Sequence, residues 1–175
     1  RPLQTAADEW LYGLIQTDAP ITRGSSGGAL VDSQGRLIGI TAAIGISDVG
    51  AEGLGFAIPV ELVSIITDQL IAGGAAEHPF LGITGQTLYI EQADGSTIPA
   101  GVRVVEVVAG TAAEAAGVLP EDVISSVGDE PLSTMEQLVV VLRFYRVGEV
   151  VNLHIDRDGA PLIVPVTLME RPEGV

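Results

Sequence analysis

Gly24-Ser25-Ser26-Gly27-Gly28 is the stretch of this 175-residue chain whose residue types could do chemistry. A serine between small residues can stand on a sharp turn with its hydroxyl exposed. Glycine reaches backbone angles closed to other residues and lets a second backbone come close. N–H groups in such a turn can converge on one point, the arrangement that stabilises an oxyanion. Two plainer readings compete: an ordinary Gly/Ser surface loop, and a hydrolase elbow in which a helix follows the serine directly. The residues after Ser26 argue against the elbow. Ala29-Leu30-Val31 and Leu37-Ile38-Gly39-Ile40 flank Asp32-Ser33-Gln34-Gly35, which predicts a hairpin.

A serine hydroxyl is a poor nucleophile until an oriented base takes its proton. The chain has two histidines, His78 and His154, and both follow Ser26. His154 falls inside an alternating, strand-like run, where an ordinary sheet residue is expected. His78 falls in a linker-like stretch with nothing to bring it to Ser26. Asp8 and Asp18 precede the serine, but neither has a partner imidazole.

The elements that must position Ser26 are short. Arg1 to Tyr12 is weakly patterned, with Asp8-Glu9-Trp10-Leu11-Tyr12 reading as a loop or one helical turn. Leu14-Ile15-Gln16 begins a strand, Thr17 to Arg23 is loop, and Leu37 to Ile44 is a buried strand. Gly45 to Gly53 reads as a glycine-bearing loop and Gly55-Phe56-Ala57-Ile58 as a further strand. Pro59 is expected at the first position of a helix. Leu62, Ile65, Ile66, Gln69 and Leu70 share one face of that helix, and Gly73-Gly74 ends it.

Ala75-Ala76-Glu77-His78-Pro79 reads as a domain boundary, separating residues 1–76 from 77–175. Beyond it, Val102 to Val108 and Asp122 to Val127 predict strands. Thr111 is expected to cap a helix over Ala112–Ala116 that stops at Gly117. Ser133 and Glu136 read as a capping box for a helix carrying Met135, Leu138, Val139 and Leu142. Val150–Ile155 and Leu162–Leu168 flank Asp158-Gly159, a strong hairpin signal.

Composition narrows the function. Apolar residues make up 47% of the chain, as in a folded domain, and the net charge of −15 disfavours nucleic acid or anionic membrane as a partner. No apolar run reaches the roughly 18 residues of a membrane helix. Arg1-Pro2-Leu3-Gln4-Thr5 does not read as a signal peptide. Cysteine is absent, so no disulfide or thiolate metal site is expected.

Three blocks in order, Ile15-Gln16-Thr17-Asp18-Ala19-Pro20-Ile21, Gly24 to Val31 and Leu54-Gly55-Phe56-Ala57-Ile58-Pro59, resemble the HtrA/DegP family of trypsin-like serine proteases. The resemblance implies a mainly β fold with short helices: the second half of a chymotrypsin-like double β-barrel (1–76) followed by a PDZ domain (77–175). Carried over, Ser26 is the nucleophile, and the N–H groups of Gly24 and Ser26 form the oxyanion hole. The family commonly has asparagine where Ser25 stands. Pro20 would lie at the floor of the specificity pocket, an uncharged floor that suits small or aliphatic residues rather than Lys or Arg. Thr41, Ala42 and Ala43 would pair with substrate, with Ile44 beside the pocket. Phe80-Leu81-Gly82-Ile83 is similar to a PDZ carboxylate loop, so Leu81, Gly82 and Ile83 would hold a peptide C-terminus. Val139 and Leu142 would line its side-chain pocket, with core packing as the alternative for both.

The resemblance covers nearly all of this chain but only the second half of the protease domain. The triad histidine and aspartate are therefore expected outside it, and the isolated fragment is expected to be inactive. It further implies unfolded proteins and peptide C-termini as partners, no cofactor or metal, no nucleic acid, an extracytoplasmic location and a trimeric parent. A PDZ peptide-binding protein with a protease remnant is the rival reading.

Overall fold

The computed structural model describes residues 3–4, 10–22, 24–42 and 55–172, in two compact units, Arg1–Ala76 and Glu77–Val175. In the first unit, β1 (Leu3–Gln4) pairs with β2 (Trp10–Leu11). Residues 10–11 are thus strand, where a loop or helical turn was expected. Across-chain pairing with Leu3 and Gln4, which no local pattern announces, decides it.

The antiparallel sheet that carries the serine loop contains β3 (Ile15–Thr17), β4 (Ala29–Val31), β5 (Leu37–Thr41) and β6 (Gly55–Pro59), in the order β3-β6-β5-β4. The β4–β5 hairpin turns where the sequence predicts. The Asp32 carboxylate accepts the N–H groups of Gln34 at 2.8 Å and Arg36 at 3.0 Å, and pairs with the Arg36 guanidinium at 2.7 Å. The Arg36 N–H, foremost, holds its carboxyl below the usual range. Strand β5 ends at Thr41, short of the expected Ile44. Residues 43–54, including the expected loop, lie outside the described residues.

Helix α1 (Val60–Gly73) packs on β5 and β6. Pro59 is its N-cap, with ψ 140°, and not its first helical residue, because Pro59 still pairs with Gly39 in the sheet. Gly74 ends the helix in the left-handed region, its N–H on the Leu70 carbonyl. The buried face is the expected one except at Leu70. Gln69 is buried, whereas Leu70 is 48% exposed.

The second unit is built on a six-stranded antiparallel sheet. Its elements follow β7 (Pro79–Phe80): β8 (Ile83–Glu91), β9 (Thr97–Val107), α2 (Ala112–Ala115), β10 (Val123–Val127), β11 (Glu130–Pro131), α3 (Met135–Leu142), β12 (Val150–Arg157), β13 (Ala160–Thr167) and β14 (Met169–Glu170). The sheet order is β13-β12-β10-β9-β8, with β11 on β10 and a separate β7–β14 pair. Val102, Val104, Ile124, Val127, Leu153 and Val166 form the sheet side of the core, and Leu138 of α3 closes over it. Strand β8 is absent from the sequence reading. Its Thr and Gln positions blur the alternation, and it is the sheet's edge, with one covered face and one hydrogen-bonded side.

Two caps also differ from expectation. The capping box uses Thr134 and Gln137, one residue later than Ser133 and Glu136: the Thr134 hydroxyl accepts the Gln137 N–H at 3.2 Å, and Gln137 Oε1 accepts that of Thr134 at 3.3 Å. The Ser133 carbonyl is engaged instead by the Gly101 N–H, which sets where the helix begins. Thr111 occupies the N-cap position of α2, but its side chain caps nothing. Glu114 takes over by accepting the Gly110 N–H at 2.6 Å. In the β12–β13 hairpin, Asp158 (φ 54°) and Gly159 (φ 81°) make the left-handed two-residue turn that their types predict.

A buried ion pair ties β12 to the turn before β10. Asp122, 1% exposed, accepts the Arg157 guanidinium at 2.7 and 2.8 Å and the Leu119 N–H at 2.8 Å. Arg157 also donates to the Gly117 carbonyl at 2.8 Å. Burial pushes the Asp122 carboxyl up, but the Arg157 hydrogen bonds, the Leu119 N–H and the Arg157 charge together hold it below its ordinary value.

Candidate functional site

The serine loop is held at both ends by side-chain chemistry legible only in three dimensions. At the β3 end, the Thr17 hydroxyl accepts the Ala19 N–H at 3.1 Å, and the Ile21 N–H reaches the Ala19 carbonyl at 2.7 Å, a tight turn centred on Pro20. The Ile21 side chain lies over Gly55, where any Cβ would collide with it. Gly55 is therefore glycine because of a close approach.

At the β5 end, Thr41 is the anchor. It is buried, its carbonyl accepts the Gly27 N–H at 2.8 Å, and its N–H donates to the Gly28 carbonyl at 2.8 Å. The Thr41 hydroxyl donates to the Ser25 carbonyl, with the Gly28 carbonyl 3.2 Å away, and accepts the Gly28 N–H at 3.1 Å. A Cβ on Gly28 would meet the Ser25 carbonyl oxygen at 2.8 Å, so this anchor needs glycine there. The Ser25 hydroxyl turns back to the Thr22 N–H at 3.2 Å.

Between these ties stands Ser26. It is exposed, next to Gly27 at φ 85° and two residues from Gly24 at φ 94°. Among the described residues, neither the Ser26 hydroxyl nor the N–H groups of Gly24 and Ser26 meet a partner. The loop then runs into a strand, β4. An unengaged hydroxyl beside unengaged N–H donors is what nucleophilic attack with oxyanion stabilisation requires.

Pro20 is exposed, and Ala42 is half-buried with its N–H on the Phe56 carbonyl; Ala43 and Ile44 lie outside the described residues. Both histidines belong to the second unit. His154 sits in β12 opposite Ser126 and Ile163, and the His78 carbonyl accepts the Arg171 N–H. Among the described residues, no cluster of His, Asp or Glu could hold a metal, and no helix is long and apolar enough to cross a membrane.

In the second unit Leu81 and Gly82 are buried, and Ile83 opens β8. The Leu81 carbonyl accepts the Ala113 N–H at 2.8 Å, and the Gly82 carbonyl accepts that of Val108 at 2.9 Å. Gly82 has φ 89°, a conformation only glycine takes without strain. Helix α3 packs against β8, β9 and β10, with the Met135 N–H on the Thr87 hydroxyl at 3.0 Å. Val139 is half-buried on that helix, whereas Leu142, 8% exposed, belongs to the core. Sequence reasoning missed Thr87, and it gave no anchoring role to Thr41 or Thr111. A lone threonine carries no signal until its distant partner is known.

The two units thus define a mainly β protein with a trypsin-like serine loop ahead of a PDZ module. Comparison with known proteins agrees. A PDZ domain model matches residues 61–168, and a trypsin-like peptidase domain model matches residues 4–40. The chain is 40% identical over 162 residues to the periplasmic pH-dependent serine endoprotease DegQ of Escherichia coli, covering 91% of this chain and 36% of DegQ. It is 37% identical over 180 residues to the serine protease PepD of Mycobacterium tuberculosis, covering 96% of this chain and 37% of PepD. Among solved structures, the HtrA-type protease AlgW with tripeptide superposes with a TM-score of 0.68 at 34% identity, over 91% of this chain and 54% of that one. The chain belongs to the PDZ-bearing, HtrA/DegP-type family of trypsin-like serine proteases. It spans little more than a third of the curated relatives' length.

Proposed function

We propose that this chain is the nucleophile-bearing and peptide-binding part of an HtrA-type serine endopeptidase. Residues 1–76 are the C-terminal half of its trypsin-like domain, and 77–175 are its PDZ domain. Ser26 Oγ attacks the scissile carbonyl carbon and gives its proton to a base, while the N–H groups of Gly24 and Ser26 receive the oxyanion. The C–N bond then breaks, the amine leaves with that proton, and water hydrolyses the acyl-serine. The base and its orienting acid come from residues outside these 175, since in the family they precede the serine and both histidines here follow Ser26. The isolated chain is accordingly inactive.

The observation that carries this reading is the contrast within one loop. Ser25, Gly27 and Gly28 are all tied to Thr41, while the Ser26 hydroxyl and the N–H groups of Gly24 and Ser26 meet no partner among the described residues. Pro20 supplies an uncharged floor, Thr41, Ala42 and Ala43 pair with substrate and Ile44 flanks the pocket, so cleavage follows small or aliphatic residues of unfolded proteins. The PDZ unit receives peptide C-termini on Leu81, Gly82 and Ile83, with Val139 and Leu142 behind the terminal side chain. The tripeptide in the AlgW structure and the periplasmic relatives fit a peptide-binding, extracytoplasmic parent.

A fluorophosphonate probe tests the catalytic reading. The 175-residue chain should label slowly. A longer protein that places a histidine and an acid ahead of Arg1 should label fast, and Ser26→Ala should abolish that labelling. Fast labelling of the isolated chain would refute the external base. A longer protein that stays unreactive while binding C-terminal peptides would favour the non-catalytic PDZ reading.

A further inference from the structure

Thr111 sits at a helix N-cap, is 2% exposed, and caps no N–H. Its hydroxyl donates instead to the Val108 carbonyl at 2.6 Å, with the Gly82 carbonyl 3.3 Å away. Its side chain fills the space beside the Gly82 Cα so closely that any Cβ at position 82 would overlap it. The Gly82 carbonyl is also taken by the Val108 N–H at 2.9 Å, and the Leu81 carbonyl by the Ala113 N–H at 2.8 Å. Thr111 thus joins the two segments that fix consecutive carbonyls of the 81–83 loop.

Peptide geometry gives this a consequence. In a trans peptide the C=O and the following N–H point in opposite directions. With the Leu81 carbonyl turned to Ala113, the Gly82 N–H must face away from α2. With the Gly82 carbonyl turned to Val108 and Thr111, the Ile83 N–H must face away from β9. The register agrees: Ile83 is opposite Val107, and the Val108–Gly82 bond beside that pair leaves the Ile83 N–H on the free edge of β8. Among the described residues, the Leu81 and Gly82 N–H groups have no backbone acceptor.

We propose that Thr111 is the positioning residue of the peptide-binding site. Its hydroxyl holds the Val108 carbonyl while the Val108 N–H holds the Gly82 carbonyl, and the peptide so fixed presents the Gly82 and Ile83 N–H groups to a ligand's terminal carboxylate. This rests on the peptide-binding reading above and extends it to a residue that touches no ligand.

The test uses the full 175-residue chain and a random hexapeptide pool with apolar C-terminal residues, as free acids and as amides. Wild type should retain the acids and not the amides, and the best-retained member gives a Kd for each form. Thr111→Val should weaken binding of the acid at least tenfold with little change for the amide. Thr111→Ser, which keeps the hydroxyl, should restore the preference. Equal retention of acids and amides by wild type would remove the peptide-binding reading and this proposal with it. A Thr111→Val chain that folds and prefers acids as wild type does would overturn the proposal alone, as would a Thr111→Ser chain that behaves like Thr111→Val. Should Thr111→Val not fold, amide exchange in wild type decides. Val108 and Ala113 should be protected and Gly82 fast; equal rates at all three would overturn the anchoring.

Discussion

Replacing Asp122 by asparagine should destabilise the second unit in a way that depends on pH. Asparagine keeps the shape and one carbonyl oxygen, which can still accept the Leu119 N–H. What it cannot do is accept the Arg157 fork, whose two bonds are 2.7 and 2.8 Å long in the wild-type chain. Hydrogen bonds to a charged partner are worth about 1.5–3 kcal/mol net, and no cavity is opened. The expected loss is therefore about 1.5–3 kcal/mol, or on the order of 10 °C in Tm for a unit of this size. The sign with pH follows from the carboxyl lying below its ordinary value near 3.8 in the folded protein. Its contribution is then fully present above the unfolded value and disappears as pH falls through the folded one. Calorimetry on the 175-residue chain should thus give a gap between wild type and D122N that is constant from about pH 5 upward and closes in acid. Exchange protection of Val104 and Leu153 would assign the transition. Equal Tm values at neutral pH would refute the reasoning, and so would a gap that persists undiminished into acid, which would mean that shape rather than charge carries the contact.

Three further outcomes follow from the same structure. Thr41→Val removes the hydroxyl that joins Ser25 to Gly28. In a longer, active protein it should slow fluorophosphonate labelling of Ser26 by about a hundredfold, the cost of roughly an ångström of misplacement, while Tm moves by only a few degrees. Unchanged labelling would show that the loop holds itself. Edge strand β13 carries Pro161 and Pro165 at positions whose backbone groups point away from β12, given Arg157 and Ala160 as the closing pair of the hairpin. Removing these N–H gaps with the double substitution to valine should produce concentration-dependent association in light scattering, because only Ile163 and Thr167 offer outward donors now. A mass that stays constant with concentration would refute this. Glu114→Ala frees the Gly110 N–H and should cost about 0.5–2 kcal/mol, the range for a lost helix cap, read by chemical denaturation. No change would assign that cap no weight.

Local chemistry is where the sequence spoke most clearly. Asp32 to Gly35 and Asp158-Gly159 turn the chain where their residue types demand, and Gly74 and Gly117 stop helices by entering the left-handed region. Each of these signals is satisfied within a few residues, and no distant segment competes for its N–H groups. Ser26 was likewise legible as an exposed serine in a glycine bend followed by a hairpin, and the ordered blocks around it identified the family.

Tertiary contact decided the rest. The capping box moved one residue because Gly101 claims the Ser133 carbonyl, and Thr111 left its helix to hold Gly82 and Val108. Strand β8 formed by pairing with β9 despite a blurred alternation. Thr41, read only as part of a strand edge, became the anchor of the serine loop. In each case a hydroxyl, amide or carbonyl had several possible partners of similar strength. Which one it met was set by segments far away in sequence, and residue type alone carries no record of that choice.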